Sequence, residues 1–318
     1  TSPGDQTIDE DDTFSFSDST QIALADIDVG SGDVTVTLGV SQGTMTMSTI
    51  DDLSFATGDG SDDADMVFSS TLTAAQTALD TLVYTPTSNY NGSDSLSAEI
   101  SDGGNTGSGG DLSGSASIAI TISSVNDDVT GTNTSQTVSI DEDSSDNAVE
   151  DIVLSDPDAA DSSPDSYTIS LTLSDTDAGT LSADSGNGEG FTDGVWSMTS
   201  VTLAEANSAL AAMTYTPASN YDKDVTIAVS IADSNGSSIS DTITLDVTAV
   251  NEAPTATNTD QTVAFDEDAS ATSLTTIVVS ENDSIQASTD TTTATDETTD
   301  ETVSVSIVLS DSDAGSFS

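Results

Sequence analysis

Carboxylates are the side chains this sequence offers in quantity: 46 Asp and 11 Glu stand against one basic residue, Lys223, with no His and no Cys. Their spacing carries information. Val125-Asn126-Asp127-Asp128-Val129 is echoed by Val250-Asn251-Glu252-Ala253-Pro254, and each phrase is followed by a Gln-Thr-Val-x-x-Asp-Glu-Asp run. Adjacent carboxylates repel one another until an ion of opposite charge accepts their oxygens, and an all-oxygen donor set suits a hard cation such as calcium. The skew toward Asp fits the same reading, because Asp is the residue of turns and of short-reach metal ligation more than of solvated helix faces.

What the composition lacks removes whole classes of function. Without His and Cys there is no Ser-His-Asp or Cys-His catalysis and no zinc site of His or Cys type in this segment. A net charge of −56 with one cationic side chain leaves nothing to neutralise phosphates, so nucleic acid is excluded as a partner. Lys223 sits between Asp222 and Asp224, where neighbouring carboxylates favour its charged form and make it a poor nucleophile. Glycoside hydrolysis by paired carboxylates is not forbidden, but it calls for aromatic platforms, and the single Trp196 reads as a core residue. Neither the calcium loop of EF-hands nor the Gly-Gly-x-Gly-x-Asp repeat of calcium β-rolls occurs. The expectation is a protein that is not an enzyme. No apolar stretch approaches the roughly 20 residues of a membrane span, so no membrane insertion is expected in this segment. Thr1 is not an initiator Met, which reads as a processed chain or a piece of a longer one. So much self-repulsion needs salt or divalent ions to offset it, which points outside the cell.

The elements that must position these carboxylates are strands. Val34 to Leu38, Ile118 to Ile122, Ile169 to Leu173, Ile243 to Val247 and Val303 to Ile307 alternate apolar with Ser, Thr or Asp. That period of two predicts half-buried antiparallel strands of a β-sandwich. Two stretches are helix-compatible, Thr73 to Leu82 with Thr73 as N-cap, and Thr202 to Met213. Each precedes a Tyr-Thr-Pro phrase, at Tyr84 and at Tyr215. The Gly-rich run 102–110 and its shorter counterpart at Asp233 to Gly236 read as hairpin loops, and Ser284 to Thr302 as a flexible insertion. Self-comparison divides the chain into a repeat over 1–128, a second over 129–252 and a partial third over 253–318. The Asp-x-Asp pairs Asp175/Asp177 and Asp311/Asp313 read as turns.

The phrases Tyr-Thr-Pro, Asn-Tyr-Asn-Gly-Ser-Asp, Ile-Ser-Asp-Gly-Gly-Asn-Thr-Gly-Ser-Gly-Gly and Val-Asn-Asp resemble the cadherin-like, VCBS-type repeats of giant secreted bacterial adhesins. The resemblance implies an all-β fold of tandem immunoglobulin-like Greek-key sandwiches, each with one short helical turn. It also implies Ca2+ at the repeat junctions, type I export, and the stalk of a surface adhesin or biofilm protein. Carried over by position, one junction draws on Glu10, Asn126, Asp127, Asp156 and Asp158. The next draws on Asp141, Glu142, Asp143, Asn251, Glu252 and Asp283, and the pair Asp26 and Asp28 is a further candidate. In the family the linker reads Val-Asn-Asp-Ala-Pro, so Glu252 and Asp128-Val129 are departures from it.

The function expected is a calcium-rigidified extracellular spacer on a bacterial cell surface, with calcium ions and neighbouring repeats or other copies of itself as partners. One alternative is the subunit of an extracellular filament or sheath, prompted by the partial third repeat, whose open sheet edge would recruit strands from beyond Ser318 or from another chain. The other is a glycan-binding module.

Overall fold

The computed structural model describes residues 2–27, 29–104, 110–161, 164–264, 266, 273–280 and 305–308. They group into two compact units, one of Thr1–Asp128 with Asp156–Asp165, the other of Val129–Ser155 with Ser166–Ser318.

The first unit contains β1 (Gln6–Asp9), β2 (Phe14–Ser15), β3 (Asp33–Gly39), β4 (Gly43–Met47), β5 (Ser54–Thr57), β6 (Asp65–Thr71), β7 (Leu82–Pro86), β8 (Gly92–Ser101) and β9 (Ser113–Ser123), with helix α1 (Leu72–Leu79) between β6 and β7. Six strands form one sheet in the order β1-β9-β8-β3-β6-β5, and three form the other in the order β2-β7-β4. Successive strands β3 and β4 lie in different sheets, so β3 pairs with β6 and β8, which is Greek-key order. The alternation read in the sequence is the alternation buried: Val34, Val36 and Leu38 are almost fully inaccessible, while the Thr residues between them are not. Phe16, Phe68, Met45, Leu82, Tyr84 and Leu96 close the core between the sheets.

The second unit repeats this with β10 (Thr130–Thr132), β11 (Thr137–Asp141), β12 (Asn147–Ala148), β13 (Val153–Ser155), β14 (Tyr167–Leu173), β15 (Gly179–Ser182), β16 (Gly190–Thr192), β17 (Val195–Val201), β18 (Thr214–Pro217), β19 (Val225–Asp233) and β20 (Ser238–Thr248). Helix α2 (Leu203–Ala211) again separates β17 from β18. Its sheets run β11-β20-β19-β14-β17-β16 and β12-β18-β15, the same order strand for strand. Trp196 is buried in this core, so it offers no platform to a sugar. The fold is an all-β, immunoglobulin-like Greek-key sandwich, built twice.

Three details differ from the sequence reading. The strands are not all antiparallel: β1 runs parallel to β9 and β11 parallel to β20. The first helix is capped by Thr71, whose side chain accepts from Ala74 N, and Thr73 lies inside the helix. At α2, Thr202 and Glu205 form a reciprocal capping box. Of the expected strand Val303 to Ile307, the described residues Val305 to Ile307 are not in a strand, and Val305 and Ile307 are exposed. The insertion Ser284 to Thr302 lies outside the described residues.

The chain after the second sandwich copies the start of the second unit. β21 (Thr255–Thr257) pairs antiparallel with β22 (Val278–Ser280) as β10 pairs with β13. Asn133 Nδ2 donates to Asp151 O at 2.8 Å and Gln136 Nε2 to Glu150 O at 3.0 Å. Asn258 Nδ2 donates to Thr276 O at 2.7 Å and Gln261 Nε2 to Thr275 O at 2.8 Å, the same clasp 125 residues on.

Candidate metal centre

The parallel edge strand determines which carboxylate turns inward. Side chains alternate along a strand, so Ile8, buried on the core face of β1, puts Glu10 on that face and leaves Asp9 and Asp11 outward. Glu10 N donates to Ser123 O at 2.9 Å, carrying the β1 to β9 pairing one residue past the strand. Glu10 ends up 2% exposed. Asp11 then turns the chain at φ 64°, in the left-handed region that Asp tolerates.

The linker hydrogen-bonds to what this turn presents. Val125 N donates to Glu10 Oε1 at 2.8 Å, and Asp127 N donates to Asp158 Oδ2 at 2.6 Å. Asn89 donates its backbone N to Asp11 Oδ1 at 3.4 Å and its side-chain Nδ2 to Asp127 Oδ2 at 2.7 Å. Asp156 begins the 3-10 turn Pro157–Ala160 by accepting from Asp158 N at 3.0 Å, which turns Asp158 inward to 6% exposure. Backbone N–H groups thus occupy one oxygen each of Glu10 and Asp158. Glu10 Oε2 is buried without a hydrogen-bond partner, as is Asp156 Oδ2.

Glu10, Asp158 and Asp161 bring carboxylate oxygens within 4.8 Å of one another. Burial pushes the Glu10 carboxyl above its ordinary pKa against the bond from Val125 N, and the charges of Asp161, Asp158 and Asp11 add to the rise. Asp158 is raised in the same way, by burial first and then by Asp156, Asp161 and Asp127. Calcium takes oxygens at about 2.3–2.6 Å, so two on opposite sides of it stand about 4.6–5.2 Å apart. A buried, unpartnered carboxylate oxygen among like charges at that spacing fits a hard cation. Glu10, Asp158 and Asp161 are the residues that would hold it, and the cation would supply the positive charge the cluster lacks.

From the set read in the sequence, Glu10 and Asp158 meet here, while Asp127 reaches the cluster through its backbone N–H to Asp158 and Asp156 caps the turn that carries Asp158. Asn126 Nδ2 donates to Asp127 O at 3.0 Å, which shapes the linker. Asp161 was not read from the sequence. Asp26 accepts from Val29 N at 3.1 Å as a turn residue, and Asp28 lies outside the described residues.

In the second unit the same bonds recur around Glu142, which is 5% exposed. Val250 N donates to Glu142 Oε1 at 2.8 Å, Asn220 N to Asp143 Oδ1 at 3.0 Å, and Asn220 Nδ2 to Glu252 Oε2 at 2.6 Å. Asn251 Nδ2 donates to Glu252 O at 3.2 Å. Glu252 therefore does what Asp127 does, despite its longer side chain. Asp141 is exposed like Asp9, and Asp283 lies outside the described residues. Asp175 accepts from Asp177 N at 2.9 Å, the turn read from the sequence, while Asp311 and Asp313 lie outside the described residues.

No family model and no curated protein matches this chain. Solved structures similar to it include the human desmocollin-1 ectodomain, at 13% identity over 81% of this chain and 42% of that one, with a TM-score of 0.33. Protocadherin gamma B2 extracellular cadherin domains 1-5 match at 13% identity over 76% and 40%, with a TM-score of 0.32. Human CDH23 EC21-23 matches at 13% identity over 87% and 83%, with a TM-score of 0.38. The chain spans less than half the length of the first two. The fold itself rests on the strand order within each unit: a Greek-key sandwich repeated along the chain, with a parallel edge strand that ends in a buried glutamate.

Proposed function

We propose that this chain is a non-enzymatic, calcium-stiffened extracellular repeat region, the stalk of a bacterial surface adhesin or biofilm matrix protein, with repeats at 1–128, 129–252 and, in part, 253–318. The observation that carries this reading is the buried, unpartnered Glu10 Oε2 beside Asp158 and Asp161. A cation held there ties the β1 turn and the loop that follows Asp156 to the linker through Val125 and Asp127. On this reading Glu142, Asp143, Asn251 and Glu252 are the corresponding set at the next linker. Support for an extracellular setting comes from the charge of −56, which is tolerable where calcium and salt are plentiful.

A filament of the same repeats is the second reading, favoured by the exposed apolar side chains of Val279, Val305 and Ile307 in the third repeat. Sedimentation that shows a monomer at all concentrations removes it.

Calorimetric titration of the full chain with calcium, beside Glu10→Gln, tests the first reading. Gln keeps the Oε1 acceptor for Val125 N and removes the charge. The wild type should bind calcium and gain about 2.7 kcal/mol of stability when calcium stands a hundredfold above Kd. The variant should lose one class of sites and most of that gain. Equal titrations in the two proteins would sink the assignment.

A further inference from the structure

The phrase Tyr-Thr-Pro-x-Ser-Asn-Tyr occurs at 84–90 and again at 215–221, and its asparagine does more than turn the chain. Tyr90 N donates to Thr87 O and Tyr221 N to Ala218 O, each at 3.1 Å, closing a four-residue turn in both units. Asn89 and Asn220 take the third place of those turns, at φ 56° and 57°. That place accepts Gly or Asn, because a positive φ crowds other side chains. Gly would make the turn equally well, so the turn alone does not call for an amide.

The amide adds a bracket across two segments that flank the carboxylate cluster. In the first unit Asn89 N donates to Asp11 Oδ1 at 3.4 Å, on the turn after Glu10, and Asn89 Nδ2 donates to Asp127 Oδ2 at 2.7 Å, on the linker. Asp127 N in turn donates to Asp158 Oδ2 at 2.6 Å. The second unit repeats the bracket with Asn220 between Asp143 and Glu252, at 3.0 and 2.6 Å. The donor's chemistry matters as much as its place. The sequence has no Arg, no His and one Lys, so a carboxylate on a linker depends on neutral donors. A guanidinium at position 89 would hold Asp127 more tightly, but it would set a positive charge near Asp158 and oppose a cation there. An amide docks the linker and leaves the negative potential of the cluster intact.

We propose that Asn89 is a positioning residue for the cation site, acting through Asp127 on Asp158, and that Asn220 docks the second linker in the same way through Glu252. The bracket forms without an ion. It closes each linker onto the loop of its own sandwich, so a cation meets carboxylates already in place instead of having to order them. Binding then loses less conformational freedom than it would with a loose linker. The cation part of this inference rests on the calcium site proposed above, whereas the docking of the linker does not.

Three variants of the full chain test it: Asn89→Gly, which keeps the turn; Asn89→Asp, which sets two carboxylates face to face; and Asn89→Asp with Asp127→Asn, which exchanges the partners and restores the bond. In chelator, amide hydrogen exchange should find the N–H of residue 127 protected in the wild type. Its protection factor should fall about tenfold in Asn89→Gly, fall further in Asn89→Asp and recover in the exchanged pair, with β3 and β8 unchanged throughout. Calorimetric titration with calcium should give a Kd raised about tenfold in Asn89→Gly, although no ligand has changed. Equal protection of residue 127 in wild type and Asn89→Gly, a loss that extends through β3 and β8, no recovery in the exchanged pair, or an unchanged calcium affinity would each overturn the proposal. A wild type that binds no calcium, with protection still lost in Asn89→Gly, would overturn the calcium site and the part of Asn89 in it, and support the docking of the linker.

Discussion

Glu10 shows how a single residue's register can decide a site. The sequence offers Asp9, Glu10 and Asp11 as equals, yet period-two alternation from Ile8 selects Glu10 as the inward one, and Ile140 selects Glu142 by the same count. That much was legible. Asp161 was not, because Asp158-Ala-Ala-Asp161 becomes a pair of inward carboxylates only once Pro157–Ala160 forms a 3-10 turn. The Tyr-Thr-Pro echo marks a shared role: Tyr84 OH lies 2.9 Å from Gln42 O as Tyr215 OH lies 2.8 Å from Ala178 O, the carbonyls just before Gly43 and Gly179, and burial pushes Tyr215 up to about 12. What the echo did not disclose is Asp94, whose Oδ2 stands 2.8 Å from Tyr84 OH. Asp94 is 7% exposed and also accepts from Ser41 N, Ser41 Oγ, Gln42 N and Ser95 N. Burial works to raise its pKa, but these bonds outweigh it and hold the carboxyl below its ordinary value. A depressed acid stabilises the fold above its unfolded pKa of about 3.9, and that contribution is lost as pH falls through the folded value. Asp94→Asn turns an amide toward backbone donors and should cost about 1.5–3 kcal/mol at pH 7. The gap between wild type and variant should close below about pH 4, as measured by urea unfolding in chelator. A gap that stays constant with pH would contradict the assignment.

At the scale of elements, the strands with long alternating runs were readable, since burial on one face is written into the period of two. β3, β9, β14 and β20 all contain the segments so identified. Pairing direction was not readable: alternation along β1 is the same whether its partner runs parallel or antiparallel, and only the tertiary fold lays it beside the end of β9. The two-residue strands β2 and β12 carry no period at all. The helix start was misread by two residues because Thr71 and Thr73 are equally good caps, and the end of β6 settles which one leads. One positional requirement is repeated in both units without a sequence phrase to announce it. Gly43 lies opposite Pro86 and Gly179 opposite Pro217, and a Cβ at either would be driven into a backbone oxygen, Thr85 O or Thr216 O. Gly43→Ala and Gly179→Ala should each destabilise the chain by about 2 kcal/mol or more, with Gly179 the worse because its φ is +152°. Thermal unfolding that leaves either variant within about 0.5 kcal/mol of wild type would show that β4 or β15 can move away from its neighbour.

Across the whole molecule, one sandwich is written twice and the opening clasp of its second copy recurs 125 residues on, with a buried glutamate at the turn that follows β1 and β11. Fifty-seven acidic residues against one lysine give the chain a general call on cations, and the proposed function adds a specific one at the Glu10 cluster. The two effects separate by ion: sodium chloride at matched ionic strength screens the surface, whereas calcium should raise the unfolding temperature well beyond that screening, and Glu10→Gln should lose the part of the calcium-specific rise that its own cluster supplies. The most direct measurement is small-angle scattering of the full chain in chelator and in millimolar calcium at constant ionic strength. A calcium-stiffened repeat region should show a longer, more sharply defined maximum dimension with calcium than without it, and the difference should shrink in Glu10→Gln. Identical dimension distributions in the two conditions would contradict the account.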